Sequence, residues 1–393
     1  MADSGFPVLA LEPEVLEIVT TLEGAGFETW AVGGAIRDRI LGDPLSDVDL
    51  ATAAEPPQVL KLFKRTVAVG IDHGTVGVLD RQGRLHEVTT FRADVETDGR
   101  HAIVRFGVSL EEDLARRDFT INAIAYHPMR REWCDPFDGR GDIARRVVRA
   151  VGVAADRFRE DYLRILRAMR FAARFGFTIE PETWNAAQQL APGLAGISAE
   201  RVRDEWSKGL RTARTVDALV RLWQASGAAA VWLPELAAAE PVPEASHPRD
   251  LVVLTSLLTG QAAAVLRRLK ASNEEIARGA ALDRLPGAPA DDQPVAVRRW
   301  LREVGSAADD LLLRATWRAG VVPGWATVMA GVRSRGEPTD RKSLALSGHA
   351  LQQLGVPYGP EIGAILDRLL DAVIEQPGLN TEDALSALVI GWR

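Results

Sequence analysis

The chain has 393 residues, 47% of them hydrophobic, a single cysteine and a formal net charge of −7. This length exceeds one ordinary hydrophobic core, so we expect two or more domains. The lone Cys134 excludes an internal disulfide and a thiolate metal cluster, and no window resembles a leader or a membrane span. We therefore expect a soluble, cytoplasmic protein.

Short strand-like and helical runs alternate in the first 140 residues. The run TWAVGG (29–34) predicts a strand that ends in a glycine turn, and AIRDRILG (35–42) predicts a helix closed by Gly42. TVGVLDRQGRLHEVTTFR (75–92) predicts a hairpin, because two β-branched runs flank a turn. These patterns predict an α+β unit with a mixed sheet over residues 1–143.

Strand signals end near Ile143, and helical patterns continue to the end of the chain. The run DYLRILRAMRFAARFGF (161–177) places apolar residues on one helical stripe, at Tyr162, Ile165, Leu166, Met169 and Ala173. Pro-rich breaks fall at 240–250, 284–296 and 333–343. The remainder is predicted to be all-helical and divided into two or three parts.

The segment VGGAIRD (32–38) joins a predicted strand to a predicted helix through two glycines. Backbone N–H groups at such a helix start can receive a phosphate, with Gly33 and Gly34 allowing close approach and Arg37 supplying charge. The alternative interpretation is a tight connection without a ligand.

Asp47 and Asp49 lie two residues apart in LSDVDLAT (45–52). On an extended segment both carboxylates would project to one side, while Val48 and Leu50 face the core. Two adjacent carboxylates repel unless a cation lies between them, and Mg²⁺ with its hard oxygen ligands would answer that need. An exposed Asp-rich turn is the alternative.

A third acid, Glu87, lies in the second strand of the predicted hairpin, where charge is disfavoured unless it has a task. Three carboxylates on neighbouring strands can hold two metal ions, one at an attacking hydroxyl and one at the leaving phosphates. Alternatively Glu87 faces water from an edge strand.

The segment RRDFTINAIAY (116–126) offers Arg117 to a triphosphate, and Asp118 and Asn122 to a sugar or to an arginine. Asp118 would also serve as a helix N-cap.

Arginine dominates the stretch from Arg140 to Gly176, where ten arginines and four acids give a local net charge of +6. Arginine forks suit phosphates and bases, although a solvated helix face is the plainer interpretation. Within it, Asp161 and Arg164 would be neighbours on a helix, with Arg167 and Arg170 beside them. One acceptor and one donor in line match the amino group and ring nitrogen of cytosine and adenine, and reject guanine and uracil. The alternative is an intrahelical ion-pair ladder.

Taken in order, these segments resemble the class II tRNA nucleotidyltransferases, which are the bacterial CCA-adding enzymes and their poly(A) polymerase relatives. The resemblance covers residues 28–214 and rests on six segments: AVGGAIRDRILGDPLSDVDLAT, HEVTTFR, RRDFTINAIAY, DPFDGRGDI, REDYLRILRAMRFAARFGF and ISAERVRDEW. A weaker similarity to the family's tail begins at Ser347. No feature of residues 225–340 could be placed.

The resemblance implies a polymerase-β-like catalytic head (1–143), a helical neck that recognises the base (144–225), and a helical body and tail that bind tRNA at its acceptor stem and elbow (226–393). It implies that Asp47, Asp49 and Glu87 bind Mg²⁺ and that Gly34 and Arg37 cradle the triphosphate. Arg117 would contact the nucleotide, and Asp161 and Arg164 would read the base. Glu200 and Arg201 match a supporting motif, and residues 93–107 match a mobile loop.

The function implied is template-independent addition of C, C and A to tRNA from CTP and ATP. Alternatives are an enzyme that adds only CC or only A, a poly(A) polymerase, or a non-catalytic tRNA-binding protein. The GRRF signature of poly(A) polymerases is absent at residues 70–79, which favours CCA addition. His247 and Asp250 lack the adjacent His-Asp pair of a phosphohydrolase, so no such activity is expected. The oligomeric state stays open.

Overall fold

A computed structural model describes residues 8–42, 47–97, 102–243 and 247–392, with side chains at all of these except 94–97 and 102–104. The chain divides into two compact units, Met1–Pro234 and Glu235–Arg393. The predicted head and neck both belong to the first unit, and their division at residue 143 stays a prediction.

A mixed sheet forms the centre of the first unit. Its strands are β1 (Thr29–Val32), β2 (Asp49–Thr52), β3 (Thr66–Gly70), β4 (Thr75–Leu79), β5 (Leu85–Thr90), β8 (Ala125–His127) and β9 (Glu132–Cys134), and a separate antiparallel ribbon contains β6 (Arg92–Thr97) and β7 (Ala102–Phe106). The strand order in the sheet is β3-β4-β5-β2-β1-β8-β9. Only β2 and β5 pair in parallel among the described strands of this sheet, and β2 lies between β5 and β1.

Helices surround the sheet and continue beyond it. Those of the first unit are α1 (Pro13–Gly24), α2 (Gly34–Ile40), α3 (Pro56–Leu62), α4 (Leu110–Ala115), α5 (Gly139–Arg145), α6 (Ala154–Glu160), α7 (Leu163–Phe175), α8 (Pro181–Leu190), α9 (Ala199–Thr212), α10 (Val216–Ser226) and α11 (Ala228–Trp232). A core cluster packs Trp30, Val32 and Ala51 of the sheet against Leu110 and Leu114 of α4. Burial of these side chains fixes the sheet that carries the site.

Every described secondary-structure element of the second unit is a helix. Its helices are α12 (Leu251–Thr259), α13 (Ala262–Arg268), α14 (Asn273–Arg284), α15 (Pro294–Val304), α16 (Ala308–Ala319), α17 (Trp325–Ser334), α18 (Gly348–Gln353), α19 (Pro360–Glu375) and α20 (Glu382–Trp392). One apolar cluster lies around Trp300 and Trp325, and another around Leu351, Leu369 and Leu385. No single described helix is long and apolar enough to cross a membrane, although α12 and α13, bent by 117°, reach that length and composition as a pair.

The sequence predictions for these elements are largely confirmed. The strand before Gly33, the helix before Gly42, the hairpin β4–β5 and all three Pro-rich breaks are present. Val48 and Leu50 are buried while Asp47 and Asp49 are exposed, as the alternation predicts.

Four details differ from the predictions. Two-residue strands β10 (Val147–Val148) and β11 (Thr178–Ile179) pair after Ile143, where no strand was expected. The segment 93–107 contains parts of β6 and β7 instead of being a loop throughout, and 98–101 lie outside the described residues. Asp118 caps no α-helix, because only a short 3-10 turn (Thr120–Asn122) follows it. The helix predicted from Asp161 begins at Leu163.

Candidate active site

The parallel pairing of β2 with β5 brings two acids together. Leu50 lies opposite Val88, so Asp49 at the start of β2 and Glu87 within β5, each one residue earlier, are neighbours on adjacent strands. Both carboxylates line a cavity of 640 Å³, together with Thr75 and Thr89. The Thr75 and Thr89 hydroxyls are 3.0 Å apart in a hydrogen bond, which completes the row of oxygen atoms on this face of the sheet.

The electrostatics around Asp49 suit a divalent cation. Its carboxylate is open to the cavity yet has protein on most sides, and this burial raises its pKa from 3.8 to about 6, with Glu87 and Asp47 adding to the rise and Arg117 opposing it. Excess negative charge of this kind fits a hard divalent ion, and Mg²⁺ would be held by these oxygens and by substrate phosphates.

Asp47 stands apart from the other two acids. It is exposed and does not line the cavity, although its charge still acts on Asp49. Among the described residues no group of three His, Cys, Asp or Glu side chains is arranged to enclose an ion. The predicted gathering of three carboxylates is therefore not preformed, since the cavity itself holds Asp49 and Glu87.

The glycine turn between β1 and α2 lies beneath an arginine. Gly33 has a left-handed φ of 74°, and a Cβ there would lie only 2.8 Å from Nη1 of Arg117. Arg117 donates from Nη2 to Asp113 at 3.0 Å and from Nη1 to the Asn122 carbonyl at 3.3 Å. These two bonds leave three of its five N–H donors, one of which is the buried Nε–H that has no hydrogen-bond partner among the described residues.

Arg37 lines the cavity but does not offer its guanidinium openly. It is 3% exposed, donates from Nε to Asp38 at 2.8 Å and from Nη1 to the Asn122 side-chain oxygen, and lies over the Phe171 and Phe175 rings. Burial lowers its pKa, against the raising effect of Asp38. Arg37 therefore braces the glycine turn in this structure, and its contact with the triphosphate stays a prediction.

A buried polar network links the sheet to α7. The Asp118 carboxylate accepts hydrogen bonds from the Asn122 amide at 2.8 Å and from Nε of Arg167 at 2.7 Å. Burial alone would raise the pKa of Asp118, but the charge of Arg167 and the bonds from Asn122, Arg167 and Phe119 hold it below its ordinary value. These contacts make Asp118 and Asn122 supports for the arginines.

The pair expected to read the base does not lie on one helix. Asp161 is extended (φ −154°) at the break between α6 and α7, where it accepts from the Leu163 N–H at 3.1 Å and from Arg201 at 2.7 Å. Arg164 lies in the first turn of α7 and donates to Glu160 at 2.6 Å. None of these bonds joins Asp161 to Arg164, so the two side chains do not form the ion pair along one helix that was the alternative. Both side chains line the cavity.

Three protein acceptors hold Arg164 in place. Besides Glu160, it donates from Nη1 to the Arg157 carbonyl at 3.1 Å and from Nη2 to the Arg116 carbonyl at 3.2 Å. A guanidinium has five N–H donors, so these bonds with the described residues leave Nε–H and one Nη2–H for a ligand. Asp161 likewise keeps an unused lone pair on each oxygen. Arg164 therefore keeps N–H donors, and Asp161 keeps acceptor lone pairs, for a ligand in the cavity.

Some residues of the site were not predicted. Glu205 of α9 is 4% exposed and accepts from Nε of Arg170 at 2.6 Å, and Arg170 in turn lies over the Phe171 ring. Arg92 and Arg116 line the cavity and belong to segments that carry the family resemblance, which was the available signal. The predicted residues that line the cavity are Gly33, Gly34, Arg37, Asp49, Glu87, Arg117, Asp118, Asn122, Asp161, Arg164, Arg167 and Arg170.

Comparison with known proteins agrees with this geometry. The family model described as "Poly A polymerase head domain" matches residues 29–149, and "Probable RNA and SrmB- binding site of polymerase A" matches 176–240. The CCA-adding enzyme of Lactiplantibacillus plantarum is 39% identical over 94% of this chain and 93% of its own length. That of Geobacillus stearothermophilus is 35% identical over 95% of both chains. The crystal structure of the Bacillus stearothermophilus CCA-adding enzyme in complex with CTP has a TM-score of 0.81 and 33% identity, covering 97% of this chain and 98% of that one.

A mixed sheet with neighbouring carboxylates, followed by an arginine-lined helix, defines a nucleotidyltransferase. Within that class, the family is shown by relatives that match almost the whole chain. The chain belongs to the CCA-adding enzymes.

Proposed function

We propose that this protein adds C, C and A to the 3′ end of tRNA, using CTP and ATP and no nucleic-acid template, in the cytoplasm. The terminal hydroxyl of the RNA attacks the α-phosphate of the incoming nucleotide, and pyrophosphate leaves. The observation that carries the proposal is the placement of Asp49 and Glu87 in the same cavity as Asp161 and Arg164. The carboxylates proposed to act at the phosphates and the pair proposed to recognise the base thus line the same cavity.

Asp49 and Glu87 hold the reacting end of the cavity, with Asp47 on its outer side. Bound Mg²⁺ would supply charge neutralisation at the phosphates and an activated hydroxyl. The chain's own part is to fix the Asp49 and Glu87 carboxylates on adjacent strands, where both face the cavity before the nucleotide arrives. Arg117, whose Nη1 lies over the Gly33 turn, offers its guanidinium to the triphosphate.

The opposite end of the cavity selects the base. The Asp161 carboxylate accepts from the amino group of cytosine or adenine, and Arg164 donates to the adjacent ring nitrogen. Guanine and uracil present a carbonyl and an N–H at these places, so acceptor would face acceptor. Arg201 and Glu160 orient the pair, and Asp118 and Glu205 hold Arg167 and Arg170 alongside.

Incubation of the purified protein with Mg²⁺, CTP, ATP and a tRNA that lacks its last three nucleotides tests this function. We expect a product three nucleotides longer, and an Asp49→Asn variant that binds this tRNA without extending it. A product that stops after two nucleotides, or a long poly(A) product, would instead identify a partial enzyme or a poly(A) polymerase. Absence of any extension by the wild type would favour a non-catalytic tRNA-binding protein.

A further inference from the structure

A second cavity lies on another side of α7. It measures 380 Å³, and its wall is made by the end of α5, the C-terminal end of α7 and the segment after α9. Three arginines from these places line it, Arg146, Arg174 and Arg214. The family resemblance and the proposed chemistry assign no role to Arg146 or Arg214.

Arginine predominates among the charged residues that line this cavity. Asp38 is the one acid among the described residues that line it, and it accepts from Arg174 at 3.0 Å and from Arg37 at 2.7 Å. Three arginines and one carboxylate therefore line the cavity. Clustered guanidiniums of this kind favour an anion with several acceptor oxygens.

The backbone is arranged to present two of these arginines. Arg146 has a left-handed φ of 59° at the end of α5, a position that favours glycine, and its residue is exposed. Arg214 lies over Gly176, where a Cβ would come within 2.9 Å of its Nη1. The missing side chain at Gly176 therefore makes room for the Arg214 guanidinium.

The two cavities adjoin, because Arg174 lines both of them. The Phe175 ring already carries Arg37 and Arg174, each 4.8 Å from its centroid, so its π-face is not offered to a base. Phe177, Thr212 and Arg214 also lie within residues 176–240, the range of the RNA-binding family model.

We infer that this second cavity, with Arg146 and Arg214 as its main donors, binds a backbone phosphate of the RNA whose 3′ end lies in the active site. The inference rests on the proposed function for the identity of that RNA. Because the contact is to the sugar–phosphate chain, it carries no sequence information and positions the strand. Free pyrophosphate offers the same oxygen atoms, so the test must separate the two sources.

The test measures tRNA binding as a function of salt concentration for Arg146→Gln, Arg214→Gln and the wild type. Each substitution should lower the slope of log K against log [salt] by about 0.7–0.9, the value of one phosphate contact, equally for tRNAs of different sequence. Arg221→Gln is the matched control, since Arg221 is exposed on α10 outside both cavities and the substitution removes the same charge. Thermal denaturation checks that each variant is folded.

Wild-type slopes in both Arg146→Gln and Arg214→Gln would overturn the inference. So would unchanged tRNA slopes combined with weaker inhibition by pyrophosphate, because the cavity would then take the free anion. Failure of the proposed function gives a different result, namely a wild type that does not extend tRNA at all. If the wild type extends tRNA and both variants keep the wild-type salt slope, the result contradicts this inference and leaves the proposed function in place.

Discussion

Asp49 on β2 and Glu87 on β5 are side-by-side neighbours on parallel strands, and burial together with the charge of Glu87 raises the pKa of Asp49 to about 6. A raised carboxyl pKa means that the folded, ion-free protein holds its proton more tightly than the unfolded chain. The associated stabilisation is present below the ordinary pKa and is lost as the pH rises through about 6. Above that pH the site carries repelling charges that a divalent ion would relieve.

We therefore predict that Mg²⁺ raises the melting temperature more at about pH 7.5 than at about pH 5, because Asp49 is ionised only at the higher value. Thermal denaturation with and without MgCl₂ at the two values measures this. Asp49→Asn should remove most of the difference. An equal Mg²⁺ shift at both values would contradict the assignment of Asp49 as a ligand.

The pair of buried Asp118 and half-buried Arg167 should contribute to stability. Asp118→Ala leaves a largely surrounded guanidinium without its partner, and we expect a loss of roughly 2–3 kcal/mol in the free energy of unfolding. Urea denaturation of Asp118→Ala, Arg167→Ala and the double variant gives the coupling between the two side chains. Additive losses would show that they do not act as a pair.

A matched exposed pair serves as the control for this measurement. Arg81 and Glu17 are 2.7 Å apart with side chains 84% and 52% exposed, and Glu17→Ala should change the free energy of unfolding by less than about 0.5 kcal/mol.

The stabilisation by Asp118 should also depend on pH, because the pKa of this carboxyl is held below its ordinary value in the folded protein. The stabilisation should be present above about pH 4 and be lost as the pH falls through the folded-state pKa of Asp118.

Substitutions at the recognition edge should change nucleotide choice before they change stability. Asp161→Asn replaces part of an acceptor with a donor, so kcat/KM for CTP should fall by about 10- to 100-fold, which corresponds to about 1–3 kcal/mol of lost discrimination, while UTP gains. Arg201→Ala, which removes the group that orients Asp161, should have a smaller effect in the same direction. Competition assays with CTP and UTP measure both. Equal losses for the two nucleotides would argue against base reading by Asp161.

Gly33 should be needed for more than its backbone conformation. Gly33→Ala strains a left-handed residue and also pushes on Arg117, so we expect KM for CTP to rise by at least about 10-fold, one charge-assisted contact being worth about 1.5–3 kcal/mol. Gly26→Ala is the control, because Gly26 has a φ of 88° with nothing within 4 Å of the added Cβ. Gly33→Ala should lose more stability than Gly26→Ala, because Gly33 combines its positive φ with a ψ of −137°, a conformation essentially confined to glycine, and only Gly33→Ala should affect nucleotide binding.

Local patterns predicted much of this molecule. The alternation around Asp49 placed the carboxylate on the cavity side of β2, and the β-branched runs predicted the hairpin that carries Glu87. The apolar stripe of α7 is buried, with Ile165 and Met169 at 0% exposure. In each case a period of two or 3.6 residues is enough to assign the face.

Long-range pairing was beyond those patterns. Asp38 and Arg174 are 136 positions apart, and Glu205 is 35 positions from Arg170, so no local spacing could show that these acids neutralise the arginine run. The helix break at Asp161 was also missed, because charged and apolar residues there fit helical spacing equally well on either side of it. Tertiary hydrogen bonds, above all the one from Arg201, favour the extended conformation instead.

The central claim is that protein hydrogen bonds, without a nucleic-acid template, direct the order and identity of the added nucleotides. The most direct measurement offers the four nucleoside triphosphates singly and in pairs to a tRNA lacking its last three nucleotides, and sequences the products. We predict that CTP alone adds two residues, that CTP with ATP adds C, C and A, and that UTP or GTP adds nothing. Incorporation of UTP or GTP as readily as CTP would contradict the claim.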